Sequence, residues 1–274
     1  MNFIDTHTHL FLKQFEKDID NVIEHAIANG VNKMLLPNIS SETTTPMIKL
    51  CKKYPNNCFP MMGLHPCEVK KESMQKQLSH VQQMLEKEKF VAVGEIGLDL
   101  YWDKTTLDIQ KAAFAFQIQL AKQHKLPIVI HVRESFNEAI EIVEELNDET
   151  LSGVFHCFTG SKEDAKRIID LENFYLGIGG VLTFKNAGLD KMIEQINLRH
   201  LILETDSPYL APAPFRGKRN ESKYILNIAE KLAEIMKEHF YGAARQHKLA
   251  VDHTMSAEFY RRVYDTMANK SGSE

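Results

Sequence analysis

The chain has 274 residues, of which 43% are hydrophobic and 26% charged, the proportions of a globular protein with one large core. Thirty-three basic against 37 acidic residues leave a formal charge of -4, which excludes a broad basic surface for nucleic acid but leaves room for a local phosphate site. No apolar run approaches a membrane span, and no basic segment followed by an apolar one marks a secretory signal, so a cytoplasmic protein without membrane association is expected.

The first apolar run covers residues 3–5 and leads into Asp5-Thr6-His7-Thr8-His9. A helix is predicted over 18–29, with Ile19, Val22, Ile23, Ala26 and Ile27 on one side and a stop at Gly30. A strand at 33–36, a helix at 43–53 and a strand at 58–63 follow, the last running into Gly63-Leu64-His65-Pro66. A helix over 73–87 precedes a strand at 91–95 that ends on Glu95. The helix over 108–124 carries Ala112, Ala113, Phe116, Leu120 and Ala121 at helical spacing. Next come a strand at 128–131 ending on His131, a helix at 136–146 and a strand at 153–156 ending on His156. A helix at 162–171, a strand at 175–178, a short helix at 189–195, a strand at 201–204 and a helix at 220–237 complete the series. The strands are short, apolar and without strict polar alternation, as in a parallel sheet covered by helices. Eight strand–helix units predict a closed (β/α)8 TIM barrel of α/β class, with an open doubly wound sheet as the competing arrangement. One domain over 1–268 is expected, its last helix at 256–267, followed by a polar tail at 269–274.

The four cysteines, Cys51, Cys58, Cys67 and Cys157, form no Cys-x-x-Cys unit and read as free thiols in a reducing compartment. The chemistry is better sought in histidines and acids. His7 and His9 are two residues apart on extended chain, so both imidazoles point the same way and can reach one metal ion. Glu95, His131, His156 and Asp206 all stand at or just beyond strand ends, where the C-terminal face of a barrel collects its catalytic groups. His7, His9, Glu95 and Asp206 can surround one ion, and Glu95, His131 and His156 a second, with Glu95 between them; one ion with a general base is the simpler alternative. Imidazole favours zinc, whereas phosphate chemistry often uses the harder magnesium or manganese. Asp206 is the expected partner of the attacking water. His65 either donates to a substrate phosphate or leaving group, or braces the site. Asp5 either orients a ligand or reaches the metal.

Arg133, Lys185 and the run Arg216, Lys218 and Arg219 offer cations for a phosphate. Tyr101 and Trp102 offer rings against which a base can stack, although packing is the commoner use of such a pair. Gly177, Gly179 and Gly180 lack the spacing of a nucleotide-binding fingerprint.

Taken together, Phe3-Ile4-Asp5-Thr6-His7-Thr8-His9, Gly63-Leu64-His65-Pro66, Gly94-Glu95-Ile96-Gly97-Leu98-Asp99, Ile130-His131-Val132-Arg133, His156-Cys157-Phe158-Thr159-Gly160 and Glu204-Thr205-Asp206-Ser207-Pro208-Tyr209 resemble the TatD-related metal-dependent DNase family of the amidohydrolase-like barrels. The resemblance implies a barrel holding two divalent cations, on His7, His9, Glu95 and Asp206 and on Glu95, His131 and His156. It implies a phosphodiesterase acting on DNA, with 3′-to-5′ exonuclease activity. A monomer with no obligate protein partner is expected. Wider relatives act on other bonds, so a small-molecule amide, ester or lactone is the alternative substrate, and a non-enzymatic metal-binding protein is a further class. Two departures stand out: Ser222 where the family commonly has proline, and the stretch after Lys237, whose histidines match no family ligand.

Overall fold

A computed structural model describes residues 2–236. The expected helix over 256–267, the unplaced stretch 238–254 and the polar tail lie outside the described residues. Among the described residues, eight strands alternate with eight α-helices in chain order. The strands are β1 (Phe3–Asp5), β2 (Val31–Pro37), β3 (Cys58–Met61), β4 (Val93–Asp99), β5 (Ile128–Arg133), β6 (Gly153–Phe155), β7 (Phe174–Ile178) and β8 (Leu201–Leu203). All pair in parallel, as β1-β2-β3 and as β4-β5-β6-β7-β8. Two parallel bridges, Met62 with Val93 and Thr8 with Ser207, join these runs at both edges. The backbone bonds Met62 N–H to Ala92 and Thr6 N–H to Leu203 belong to the same two seams. Closure removes both open edges, and the fold is a (β/α)8 barrel.

The helices are α1 (Ile19–Ala28), α2 (Ser41–Lys53), α3 (Met74–Lys87), α4 (Leu107–His124), α5 (Phe136–Leu146), α6 (Lys162–Asp170), α7 (Leu189–Ile193) and α8 (Ile225–Ile235). Their apolar stripes explain their placement: α1 buries Val22, Ile23 and Ala26, and α5 buries Ala139, Ile140 and Val143. Capping boxes start α2 at Ser40 with Thr43, and α6 at Ser161 with Asp164. α1 ends before Gly30, whose φ of 84° suits a residue without Cβ. No described helix is long and apolar enough to cross a membrane.

Several boundaries shift by a few residues from expectation, and two of the shifts bear on the site. β4 starts at Val93 and runs on to Asp99, past Glu95, and every residue in it is buried. The last described helix starts at Ile225 rather than near 220. The Asn220 amide is held in place by the carbonyls of Thr205 and Tyr209, each at 2.7 Å, so that residue belongs to the connection that follows β8.

Candidate active site

The barrel brings the expected ligands to one end. His7 and His9 follow β1, Glu95 lies within β4, His131 within β5, His156 directly after β6, and Asp206 three residues past β8. Closure fixes the last of these against the first: Asp206 N–H donates to the His7 carbonyl at 2.9 Å, and His9 N–H to the Ser207 carbonyl at 2.7 Å. Asp206 adopts a φ of 56°, a left-handed conformation that aspartate tolerates better than most residues.

Glu95 is the hub. Its Oε2 lies 3.2 Å from His7 Nε2 and 3.4 Å from His9 Nε2. Its Oε1 lies 2.8 Å from His131 Nδ1, 2.8 Å from His156 Nε2 and 3.4 Å from His65 Nε2. Asp206 Oδ1 joins the first set, 3.5 Å from His9 Nε2 and 3.8 Å from His7 Nε2. One carboxylate therefore meets five ring nitrogens, split between its two oxygens, while its acceptor capacity is about four lone pairs. Nitrogen lone pairs packed this closely, with His7 Nε2 only 3.2 Å from His9 Nε2, fit cations better than they fit one another. The overlapping groups His7–His9–Glu95, His7–His156–Asp206 and His65–Glu95–His131 each bring their ligand atoms within 4.8 Å of one another, and together they suit two divalent ions.

Electrostatics support this division. Burial opposes charge on Glu95, but His156, His65 and His7, with a hydrogen bond from His131, hold its carboxyl well below the usual range. Burial likewise raises the Asp206 carboxyl, and His9, His156 and His7 together bring it below its usual value. Burial pushes the His65 ring down, towards its neutral form. Cys67 N–H donates to His65 Nδ1 at 3.1 Å, so the neutral ring carries its proton on Nε2, the nitrogen facing Glu95. In this tautomer His65 offers the site a donor and not a lone pair for a cation.

Two acids outside the expected ligand sets, Asp99 and Glu204, stand behind the candidate ligands. Asp99 Oδ2 accepts from His131 Nε2 at 2.9 Å, leaving Nδ1 to face Glu95. Its other oxygen accepts Tyr101 N–H at 3.0 Å. Glu204 is fully buried; its Oε1 accepts Cys157 N–H at 2.5 Å and lies 3.5 Å from His156 Nδ1. The available signal for Asp99 was strand periodicity, because Glu95, Gly97 and Asp99 fall on one side of β4. Asp5 resolves as an orienting group. Its oxygens accept from Thr205 N–H at 2.9 Å, Thr205 Oγ1 at 2.6 Å and His7 N–H at 3.4 Å. Burial pushes its carboxyl up to about 7, against the pull of these bonds and one from Ser222. Ser222 Oγ also lies 3.3 Å from Thr8 Oγ1, so Ser222 joins the buried network under His7.

The expected phosphate contacts divide. Arg133 is exposed beside the site, with its guanidinium carbon 3.5 Å from the centre of the Tyr101 ring. Arg216 stacks on Phe184 at 3.6 Å, and Lys185 and Lys218 are exposed nearby in sequence. Arg219 is set apart from this group. It donates to Asp18 at 2.8 and 2.7 Å, to Glu221 at 3.1 Å and to the Gln14 carbonyl at 2.7 Å, so its donors tie the loop after β8 to the start of α1. The glycines have packing roles: a Cβ on Gly177 would collide with the Glu204 carboxylate, and one on Gly180 with the Leu210 carbonyl.

Comparison with known proteins agrees with this geometry. The family model described as TatD related DNase matches residues 4–255. The uncharacterized metal-dependent hydrolase YabD of Bacillus subtilis is 40% identical over 84% of this chain and 90% of its own. The 3′-5′ ssDNA/RNA exonuclease TatD of Salmonella typhimurium is 31% identical, over 84% and 89%. The crystal structure of the TatD homologue YjjV from Escherichia coli superimposes with a TM-score of 0.81 at 28% identity, covering 96% of this chain and 95% of that one. A barrel whose strand ends present two overlapping cation sites, and a sequence match over most of its length, make this chain a metal-dependent hydrolase belonging to the TatD-related DNase family.

Proposed function

We propose that this hydrolase cleaves phosphodiester bonds in DNA, removing nucleotides from the 3′ end of single strands by attack of water. The observation that carries the reading is Glu95, divided between two imidazole sets with Asp206 at their more open side. His7, His9, Glu95 and Asp206 would hold one divalent cation, and Glu95, His131 and His156 the other. Such a pair supplies Lewis-acid polarisation of a phosphoryl oxygen and acidification of water. Asp206 orients the attacking water and accepts its proton. His65, with its proton on Nε2, donates to a phosphate or leaving oxygen. Arg133, Lys185, Arg216 and Lys218 are the cations assigned to the neighbouring phosphates. The named activity of the Salmonella relative supports the choice of substrate and polarity.

Action as a monomer without an obligate protein partner is part of this proposal. A single barrel domain accounts for the site residues, and cysteines that form no disulfide fit a reducing compartment such as the cytoplasm.

The test is a rate comparison on single-stranded DNA labelled at either end, duplex DNA, RNA and small amide, ester and lactone substrates, each with magnesium, manganese or zinc. Fastest release of mononucleotides from the 3′ end of single-stranded DNA is expected. Turnover confined to small esters, amides or lactones would overturn the proposal.

A further inference from the structure

Tyr101 and Trp102 are among the few large apolar side chains left exposed among the described residues, at 48% and 75%. Single exposed aromatics are ordinary, but these have a fixed setting. They follow Leu100, the first residue past the end of β4. The Asp99 side chain holds both Tyr101 N–H and the ligand His131, and Leu100 N–H donates to the Arg133 carbonyl at 2.9 Å. The two rings meet edge to face, with centroids 4.9 Å apart and planes at 89°. Arg133 lies over Tyr101 at 3.5 Å and remains 5.9 Å from the Trp102 ring. Tyr101 therefore carries the guanidinium, while Trp102 presents most of its indole surface to solvent beside that cation.

An open π-face next to a positive charge, connected through Asp99 to the metal-facing histidine, complements a nucleotide with its unpaired base and its phosphate. In a duplex the faces of the bases are already stacked on one another, so a platform of this kind selects single strands. We infer that Trp102 is a base-stacking subsite of the active site, taking an unpaired base next to the scissile phosphate while Arg133 meets the adjoining phosphate. The inference rests on the phosphodiesterase reading above and adds to it a specificity-determining residue.

Trp102 is the only tryptophan in the chain, so intrinsic fluorescence reports on this position alone. The metal-loaded full-length protein is titrated with a phosphorothioate oligothymidylate of about eight nucleotides, and with an abasic oligomer of equal length and charge. Saturable quenching by the thymidylate is expected, with little response to the abasic chain. In parallel, KM is measured for the corresponding phosphodiester oligomers with wild type, Trp102→Ala and Trp102→Phe. Loss of one base–aromatic stack should raise KM for the thymidylate roughly 5- to 150-fold relative to the abasic substrate, and phenylalanine should restore most of it. Equal quenching by both oligomers, or an unchanged ratio of KM values in Trp102→Ala, would overturn the subsite. A wild type that binds and quenches with the thymidylate but hydrolyses neither oligomer would instead count against the phosphodiesterase reading, with the subsite intact. Failure to bind either oligomer overturns the subsite.

Discussion

Asp206 has a side chain 13% exposed, whereas the Glu95 carboxylate is 3% exposed. An acid that faces both the histidines and the opening can touch a ligand ion with one oxygen and water with the other. Asparagine keeps the shape but loses the charge and the proton-accepting oxygen. Asp206→Asn is therefore expected to slow the chemical step roughly 10²–10⁴-fold while the dissociation constant for substrate changes much less. Single-turnover kinetics and metal stoichiometry on one preparation check this; full metal content with near-normal turnover would remove Asp206 from water activation. Asp99 makes a different prediction, because it touches no reacting atom. It holds the His131 Nε2–H, and through it the orientation of Nδ1 towards Glu95. Losing such a carboxylate behind a histidine ligand typically costs 10–100-fold in metal affinity. Calorimetric titration of metal into stripped Asp99→Asn protein should show that loss in one class of site and leave the other close to wild type. Unchanged affinity in both classes would make Asp99 no more than a support for Tyr101.

At the scale of elements, the meeting of β7 with the end of β8 is tight enough to test by single atoms. Glu204 passes over Gly177 so closely that an added Cβ would collide with its carboxylate, whereas a Cβ on Gly179 would find its nearest neighbour at 3.8 Å. Gly177→Ala must push Glu204 off the Cys157 N–H or shift the strand; overpacking of this kind costs about 1–3 kcal/mol. A lower denaturation midpoint with weakened metal binding is expected for Gly177→Ala, and near-wild-type behaviour for Gly179→Ala in the same denaturant melts. Equal stability of the two variants would refute the close approach. This contact also illustrates where the sequence was legible. The apolar runs of β5, β6 and β8 mark themselves, because strands buried on both faces need Ile, Val, Leu and Phe almost throughout. The candidate ligands at or just beyond their ends, His131, His156 and Asp206, could be read with them. The expected strand at 91–95 stops at Glu95, whereas β4 continues through Gly97 and Asp99, both buried around the site. The role of Asp99 was lost with that boundary. Glu204 adjoins Asp206 in sequence, but its function depends on β7 leaving space at Gly177, which no local pattern records. The run from Arg216 to Arg219 looked like one patch, and only the fold sends Arg219 to Asp18.

At the scale of the whole molecule, two systems are layered on one another. The core is built from side chains that need no ion: Ile118, Ile128, Ile130, Phe155, Leu176 and Ile202 are each fully buried between strands and helices. Each such side chain contributes about 1.5–3 kcal/mol through burial. The polar layer at the strand ends has the opposite character. Five imidazoles crowd one carboxylate there, and His7 and His156 stack with centroids 3.8 Å apart. Stripping the cations should therefore abolish hydrolysis while the barrel stays folded, because the aliphatic core remains in place. The expected cost is the linkage energy alone, about 2.7 kcal/mol for an ion present at 100 times its dissociation constant. In a domain of this size each kcal/mol moves the melting temperature by roughly 2–4 °C. Chelation followed by dialysis, an activity assay, far-ultraviolet circular dichroism and a thermal melt separate the two layers. The native spectrum should persist, the melt should shift downward, and activity should return on adding back manganese, magnesium or zinc. Hydrolysis undiminished in rigorously stripped protein would sink the metal-dependent chemistry. Collapse of the spectrum on chelation would show instead that the strand-end polar layer cannot keep its geometry without ions, and that the barrel depends on them for folding as well as for catalysis.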